Sequence, residues 1–222
     1  MASFEIVPAS YKIIHPERLA TALEDIEYAA RISHKSERKE DWTPEDTKNF
    51  VKKWVIGSGH WACGEFGPDL TVEFVFDIGA GREALRHRHI SPLQQSTRYV
   101  NYGKKGATVI KPAPQYLPNN SYQIWFDTIE HSIVGYNKLL NEGVKPEFAR
   151  SVLPLALTAP AIIKANLREW HQIFLMRTST AAHPQIRDVM IPLLEEVKKL
   201  VPIVFDDVEP NTSETINNRK TR

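Results

Sequence analysis

The sequence predicts an α/β protein in which strands and helices interleave along one chain. Three stretches carry that expectation. Residues 69–78 (DLTVEFVFDI) alternate apolar and polar side chains with the period of two that a half-buried strand needs. Residues 4–33 read as a β-rich opening followed by an amphipathic helix, and residues 121–143 keep helical spacing over many turns.

In chain order, FEIVPASYKIIH has strand character, and the helix after it begins at Pro16, with Leu19, Leu23, Ile26 and Ala30 on one face. A second helix starts at Thr43-Pro44-Glu45-Asp46, a capping-box pattern, runs through Phe50, Val51 and Trp54, and should stop at Gly57. After the strand at 69–78, GAGREALRHRHI reads as a helix that Pro92 ends. ATVIKPAP returns as a strand. SYQIWFDTIEHSIVGYNKLLNEG is a helix through Trp125, Ile129, Ile133, Tyr136 and Leu140, closed by Gly143. Three helical pieces follow: KPEFARSVLP, then NLREWHQIFLMR with Asn166 as its cap, then HPQIRDVMIPLLEEVKKL interrupted at Pro192. Residues 1–205 are expected to form one domain, and 206–222 a polar, mobile tail.

With 42% hydrophobic and 25% charged residues, the 222-residue chain has globular composition and enough length for a core. A formal net charge of +1 argues against a protein whose work is coating nucleic acid, so any basic site is local. No apolar run approaches the ~20 residues of a membrane span, and the N-terminus lacks a signal-peptide pattern, which together point to the cytoplasm. Cys63 is the only cysteine, which excludes an intrachain disulfide and a thiolate-rich zinc site. A buried thiol is its simplest role. His60 with Cys63, or His87 with His89, makes a single pair where a metal needs three or four ligands, so no metal is expected.

Two stretches invite chemistry. GAGREA follows a strand and opens a helix, as a dinucleotide fingerprint does, yet Lys104 and Lys105 stand where an acidic ribose ligand belongs. The plainer reading is a tight turn made possible by Gly79 and Gly81. RHRHISPLQQSTRY gathers Arg86, Arg88 and Arg98 with two histidines, two glutamines and two serines. A solvated basic face or an RNA-binding patch is the bland reading. On a helix, Arg86 and Arg88 would point ~200° apart toward different ligands. If the chain is extended, Ser96 and Arg98 face the same way, a clamp suited to phosphate or carboxylate. Arg168 and Gln172 share one helix stripe, with Arg177 on the other side.

Arg86-His87-Arg88, seven residues, then Ser96, continued by Arg98-Tyr99, resembles the signature of the flavin-dependent thymidylate synthases. Further matches follow in order: AARIS ending at Ser33, His60 and Glu65 in HWACGE, ARSVLPL around Arg150, and Asn166, Arg168 and Arg177 in NLREWHQIFLMR.

The resemblance implies that family's α/β (α+β) fold, with an antiparallel or mixed sheet and long helices, assembled as a homotetramer whose sites lie at subunit contacts. It implies conversion of dUMP to dTMP with 5,10-methylenetetrahydrofolate as one-carbon donor and NADPH as reductant through FAD. Carried over by position, Ser33, His60, Ala62, Glu65, Arg86, His87, Arg88, Gln94, Asn166, Arg168 and Gln172 fall where the family meets FAD. Glu83, Arg86, Gln94, Gln95, Ser96, Thr97, Arg98, Arg150 and Arg177 fall where it meets dUMP, with Arg177 directed at the uracil as the catalytic group. Ser96 then binds rather than attacks. Departures from the family pattern are Ala62, Cys63-Gly64, Glu83 for a neutral glutamine, Gln172 for an asparagine, and an extra residue in FGPD. These leave a second reading, a non-catalytic nucleotide- or RNA-binding protein that has lost flavin.

Overall fold

The computed structural model describes residues 4–210. In chain order they form β1 (Phe4–Val7), β2 (Ser10–Ile14), a 3-10 turn (Pro16–Thr21), α1 (Ala22–His34), α2 (Pro44–Val51), a π-helical turn (Lys52–Ile56) and a 3-10 turn (Trp61–Glu65). Then come β3 (Leu70–Val75), α3 (Ile78–Ala84), β4 (Ser91–Gln94), α4 (Tyr102–Lys105), β5 (Ala107–Ile110) and a 3-10 turn (Pro114–Tyr116). The chain continues through α5 (Ser121–Asn141), α6 (Pro146–Ala149), a 3-10 turn (Arg150–Val152), β6 (Ala161–Ala165), α7 (Leu167–Arg177) and α8 (Pro184–Leu200).

The described residues group into two compact units. Strands β2, β3, β6 and β4, in that order, make one four-stranded sheet.

Unit 1 holds residues 4–11, 73–86 and 92–162 of the described chain. Its β1 and β5 pair in parallel, Phe4 opposite Ala107 through Val7 opposite Ile110. Long helix α5 buries Ile129, Ile133 and Tyr136 against Tyr102, Val109 and Leu157, a stripe fixed by its period of three and four. It ends where the sequence places its stop, at Gly143, whose φ of +83° is one that side chains with a Cβ avoid.

Unit 2 holds residues 12–72, 87–91 and 163–210. Its core includes Ile26, Val51, Leu167, Trp170, Phe174 and Leu193, all at most 1% exposed. The Trp170 indole N–H donates to the Leu70 carbonyl at 2.8 Å, which satisfies the ring's one polar atom. Glu27 is fully buried, yet Arg31, Arg38 and the Thr47 hydroxyl donate to it. Burial alone would raise its carboxyl, but these bonds outweigh burial and hold it below the usual range. The Thr43–Asp46 capping box forms as the sequence predicts. Of the expected tail, Asp207 accepts from the His171 ring at 2.9 Å and Val208 is buried. Residues 211–222 lie outside the described residues.

Several expectations are corrected. The opening strand is two strands, divided at Pro8-Ala9, because proline cannot donate to a ladder. Pro192 does not interrupt α8: it is exposed, so the hydrogen bond it forgoes faces water while Leu193 and Leu194 stay buried. Helix α3 ends at Ala84, so Arg86 and Arg88 are not placed by helical rotation. Ser96 to Arg98 form a turn rather than an extended run, with the Arg98 N–H on Ser96 Oγ at 3.2 Å and the Val100 N–H on the Ser96 carbonyl.

Candidate active site

The glycine-rich stretch is resolved by what surrounds it. Asp77 caps α3, accepting the Ala80 N–H at 2.7 Å, so a carboxylate already occupies the position a pyrophosphate would take. Gly81 faces the Gln94 side chain and the Phe76 ring, and a Cβ there would stand 2.9 Å from Gln94 Nε2. The glycine gives room to a side chain rather than to a dinucleotide.

That side chain opens a cleft of about 650 Å³ in unit 1, lined by Arg82 and Ile78 from α3, by Gln94 to Thr97, and by Arg150, Ser151, Leu153, Leu155 and Ala159. Gln94 Nε2 reaches the Ala159 carbonyl at 3.4 Å, and Gln95 Nε2 donates to the Tyr102 hydroxyl at 3.2 Å. Arg150 Nη1 donates to Thr97 Oγ1 at 3.2 Å. Guanidinium, amide and hydroxyl donors thus meet in one cleft whose lining has no carboxylate, the chemistry of an anion site. The structure gathers Gln94, Gln95, Ser96, Thr97 and Arg150 there. Glu83, Arg86 and Arg98 are not among the lining residues, and Arg98 Nε instead donates to Glu147 at 3.0 Å.

Unit 2 has its own cleft, about 730 Å³, lined by Trp61, Glu65, His89, Asn166, Arg168, Glu169, His171, Gln172 and Leu175. The Trp61 and His171 rings lie 4.0 Å apart, centroid to centroid. Arg168 and Gln172 share the α7 stripe that their spacing predicts, and Arg168 Nη1 donates to Glu65. Asn166 spends its Oδ1 on capping α7, taking the Glu169 N–H at 2.8 Å, so what it offers a ligand is its NH₂. Planar rings beside amide and guanidinium donors suit an aromatic ring system that carries an anionic chain. Among the residues expected at the cofactor, Glu65, Asn166, Arg168 and Gln172 line this cleft. Ser33, His60, Ala62, Arg86, His87 and Arg88 do not, and Gln94 lines the unit 1 cleft. The Ser33 hydroxyl is bonded to the Ala30 carbonyl.

Arg177, the last residue of α7, donates its Nε–H to His87 Nε2 at 3.1 Å. The His87 side chain is 4% exposed, and Glu169 Oε1 lies 3.4 Å from its other nitrogen. Burial, with the Arg177 charge adding to it, pulls His87 down to about 4. Cys63 is buried and its thiol is pushed up by that burial. Among the described residues no group of three His, Cys, Asp or Glu side chains could hold a metal, and no helix is long and apolar enough to cross a membrane.

Sequence reasoning missed Arg82, Trp61, His89, Glu169 and His171 as lining residues. Arg82 and His89 carried a signal, since Arg82 is one residue from Glu83 in a helix already singled out and His89 lies in the RHRHISPLQQSTRY stretch; the others are ordinary helix and turn residues brought together only by folding.

The chain matches the family described as "Thymidylate synthase complementing protein" over residues 17–203. The flavin-dependent thymidylate synthase of Pyrococcus furiosus is 31% identical over 198 residues, covering 85% of this chain and 77% of that protein. The same-named protein of Geobacter sulfurreducens is 29% identical over 191 residues, covering 82% and 80%. A UMP/dUMP methylase, PolB from Streptomyces cacaoi, solved with 5-Br UMP, superposes with a TM-score of 0.75 at 18% identity, covering 91% of this chain and 94% of that one, which establishes the shared fold. A family match across most of the chain, relatives of one name along the same span, and a shared fold agree, and the chain belongs to the thymidylate synthase complementing family, that of the flavin-dependent thymidylate synthases.

Proposed function

We propose that the chain is a cytoplasmic, homotetrameric enzyme that converts dUMP to dTMP, with 5,10-methylenetetrahydrofolate as one-carbon donor and NADPH as reductant through FAD. The observation that carries this reading is the unit 1 cleft, where Gln94, Gln95, Ser96, Thr97 and Arg150, the residues the family pattern assigns to the nucleotide, meet around a space free of carboxylates. A dianionic phosphate takes bidentate and hydroxyl donors, and Arg150, Arg82, Ser96 and Thr97 supply them. The unit 2 cleft supports the flavin: Trp61 and His171 offer planar surfaces, and Arg168, Gln172 and Asn166 offer donors. When bound, FAD supplies the redox chemistry that passes reducing equivalents from NADPH.

Arg177 is the residue for the uracil, where a guanidinium stabilises negative charge as C5 becomes nucleophilic. Ser96 binds the phosphate and does not attack. Cys63 stays protonated in its buried setting, in keeping with a scheme without an enzyme nucleophile. Self-association is supported by Leu93, Tyr99 and Phe148, large apolar side chains 74%, 77% and 65% exposed in unit 1, on the segments that line the cleft or beside them.

The test is purification followed by turnover. A yellow protein that forms dTMP from dUMP only with methylenetetrahydrofolate and NADPH is expected, with UMP run in parallel because the solved relative is a UMP/dUMP methylase. A colourless protein that FAD does not reconstitute, and that binds nucleotide without changing it, would replace this reading with the non-catalytic one.

A further inference from the structure

Glu169 and Arg177 lie eight residues apart on α7, ~12 Å along its axis at 1.5 Å per residue. The His87 ring lies between them. A guanidinium has five donors and no acceptor and keeps its proton, so the Arg177 Nε–H at 3.1 Å requires His87 Nε2 to be bare. The single ring hydrogen is then on Nδ1, the nitrogen 3.4 Å from Glu169 Oε1. Glu169 is itself held in place, since Asn166 caps its N–H and its side chain is only 12% exposed.

We propose that Glu169 is a positioning residue for Arg177 acting through His87: its carboxylate keeps the ring hydrogen on Nδ1, leaving Nε2 to hold the Arg177 side chain. This rests on the reading that Arg177 acts at the uracil. A proton on Nε2 would set two donors against each other and release Arg177 from the ring. Burial and the Arg177 charge keep the ring neutral, in the direction the geometry requires. The Glu169 carboxyl is raised by its own burial, opposed by His89 and Arg168. Arg177 and Glu169 are the charged groups that face the ring nitrogens.

The measurement is ¹⁵N NMR of the His87 imidazole in the FAD-loaded protein, together with steady-state kinetics. Wild type should show a neutral ring with Nδ1–H. Glu169→Leu should show both tautomers and lose about tenfold or more in kcat, measured at saturating dUMP and FAD because Glu169 also lines the unit 2 cleft. Glu169→Gln, whose Oε1 still accepts, should recover most of both. A wild-type ring that is cationic or carries Nε2–H would overturn the proposal without any variant, as would an active Glu169→Leu enzyme at wild-type kcat. If wild type makes no dTMP, the proposed activity fails, while the tautomer readout still decides whether Glu169 sets the ring.

Discussion

Gly81 and Gln94 meet so closely that a methyl group on the glycine would stand 2.9 Å from the amide nitrogen and 3.0 Å from the Phe76 ring. Gly81→Ala therefore cannot be absorbed by the amide alone, since Phe76 is buried at 1% exposure. It should cost about 1–3 kcal/mol in urea unfolding and, by displacing Gln94 from the cleft, weaken dUMP binding measured by calorimetry. Unchanged stability and affinity would mean that α3 and Phe76 shift freely.

The two arginines expected at the phosphate are not equivalent. Arg150 lines the cleft and holds Thr97, whereas Arg98 is already paired with Glu147 and lies near the Tyr99 ring. Arg150→Ala should raise the dUMP dissociation constant by about ten- to a hundredfold, in keeping with loss of a charge-assisted bond of roughly 1.5–3 kcal/mol. Arg98→Ala should raise it only a few-fold. Titration of both variants with dUMP ranks them, and a larger loss for Arg98 would show that ligand draws it away from Glu147.

Acid should find His87. Its ordinary pKa of 6.5 falls to about 4 in the folded chain, so below pH 6.5 the unfolded chain takes up a proton that the folded one refuses. The neutral ring's contribution is whole above pH 6.5 and is lost as the pH falls to about 4, to a limit of about 3 kcal/mol. The difference in urea-unfolding free energy between wild type and His87→Gln should shrink by that order between pH 7 and pH 4. A pH-independent difference would place the ring's proton affinity near that of a free histidine.

Much of the architecture was legible where local pattern and burial agree. The alternation through Leu70, Val72 and Phe74, the capping box at Thr43 and the stop at Gly143 are all decided within a few residues. Strand β6 was not legible: AIIKA is five residues between a proline and a helix cap, and it is a strand because neighbours far along the chain pair with it. Pro192 misled because its cost depends on whether it faces water. In the site, the spacing that marks Gln94 to Thr97 survives as a cleft wall, whereas the pairing of Arg98 with Glu147, 49 residues on, is a fact of the fold alone. The same holds for Trp61 beside His171.

The unit 1 cleft has one more property. Its lining of arginines, amides, hydroxyls and apolar groups contains no side chain that exchanges a proton near neutrality. A phosphate monoester seated there brings the only titrating group, whose second proton leaves near pH ~6. Arg82 and Arg150 are exposed, so their attraction is screened over a Debye length of ~8 Å at physiological salt. Occupancy of this cleft follows the ligand's own charge and the ionic strength around it, against a protein charge that stays fixed.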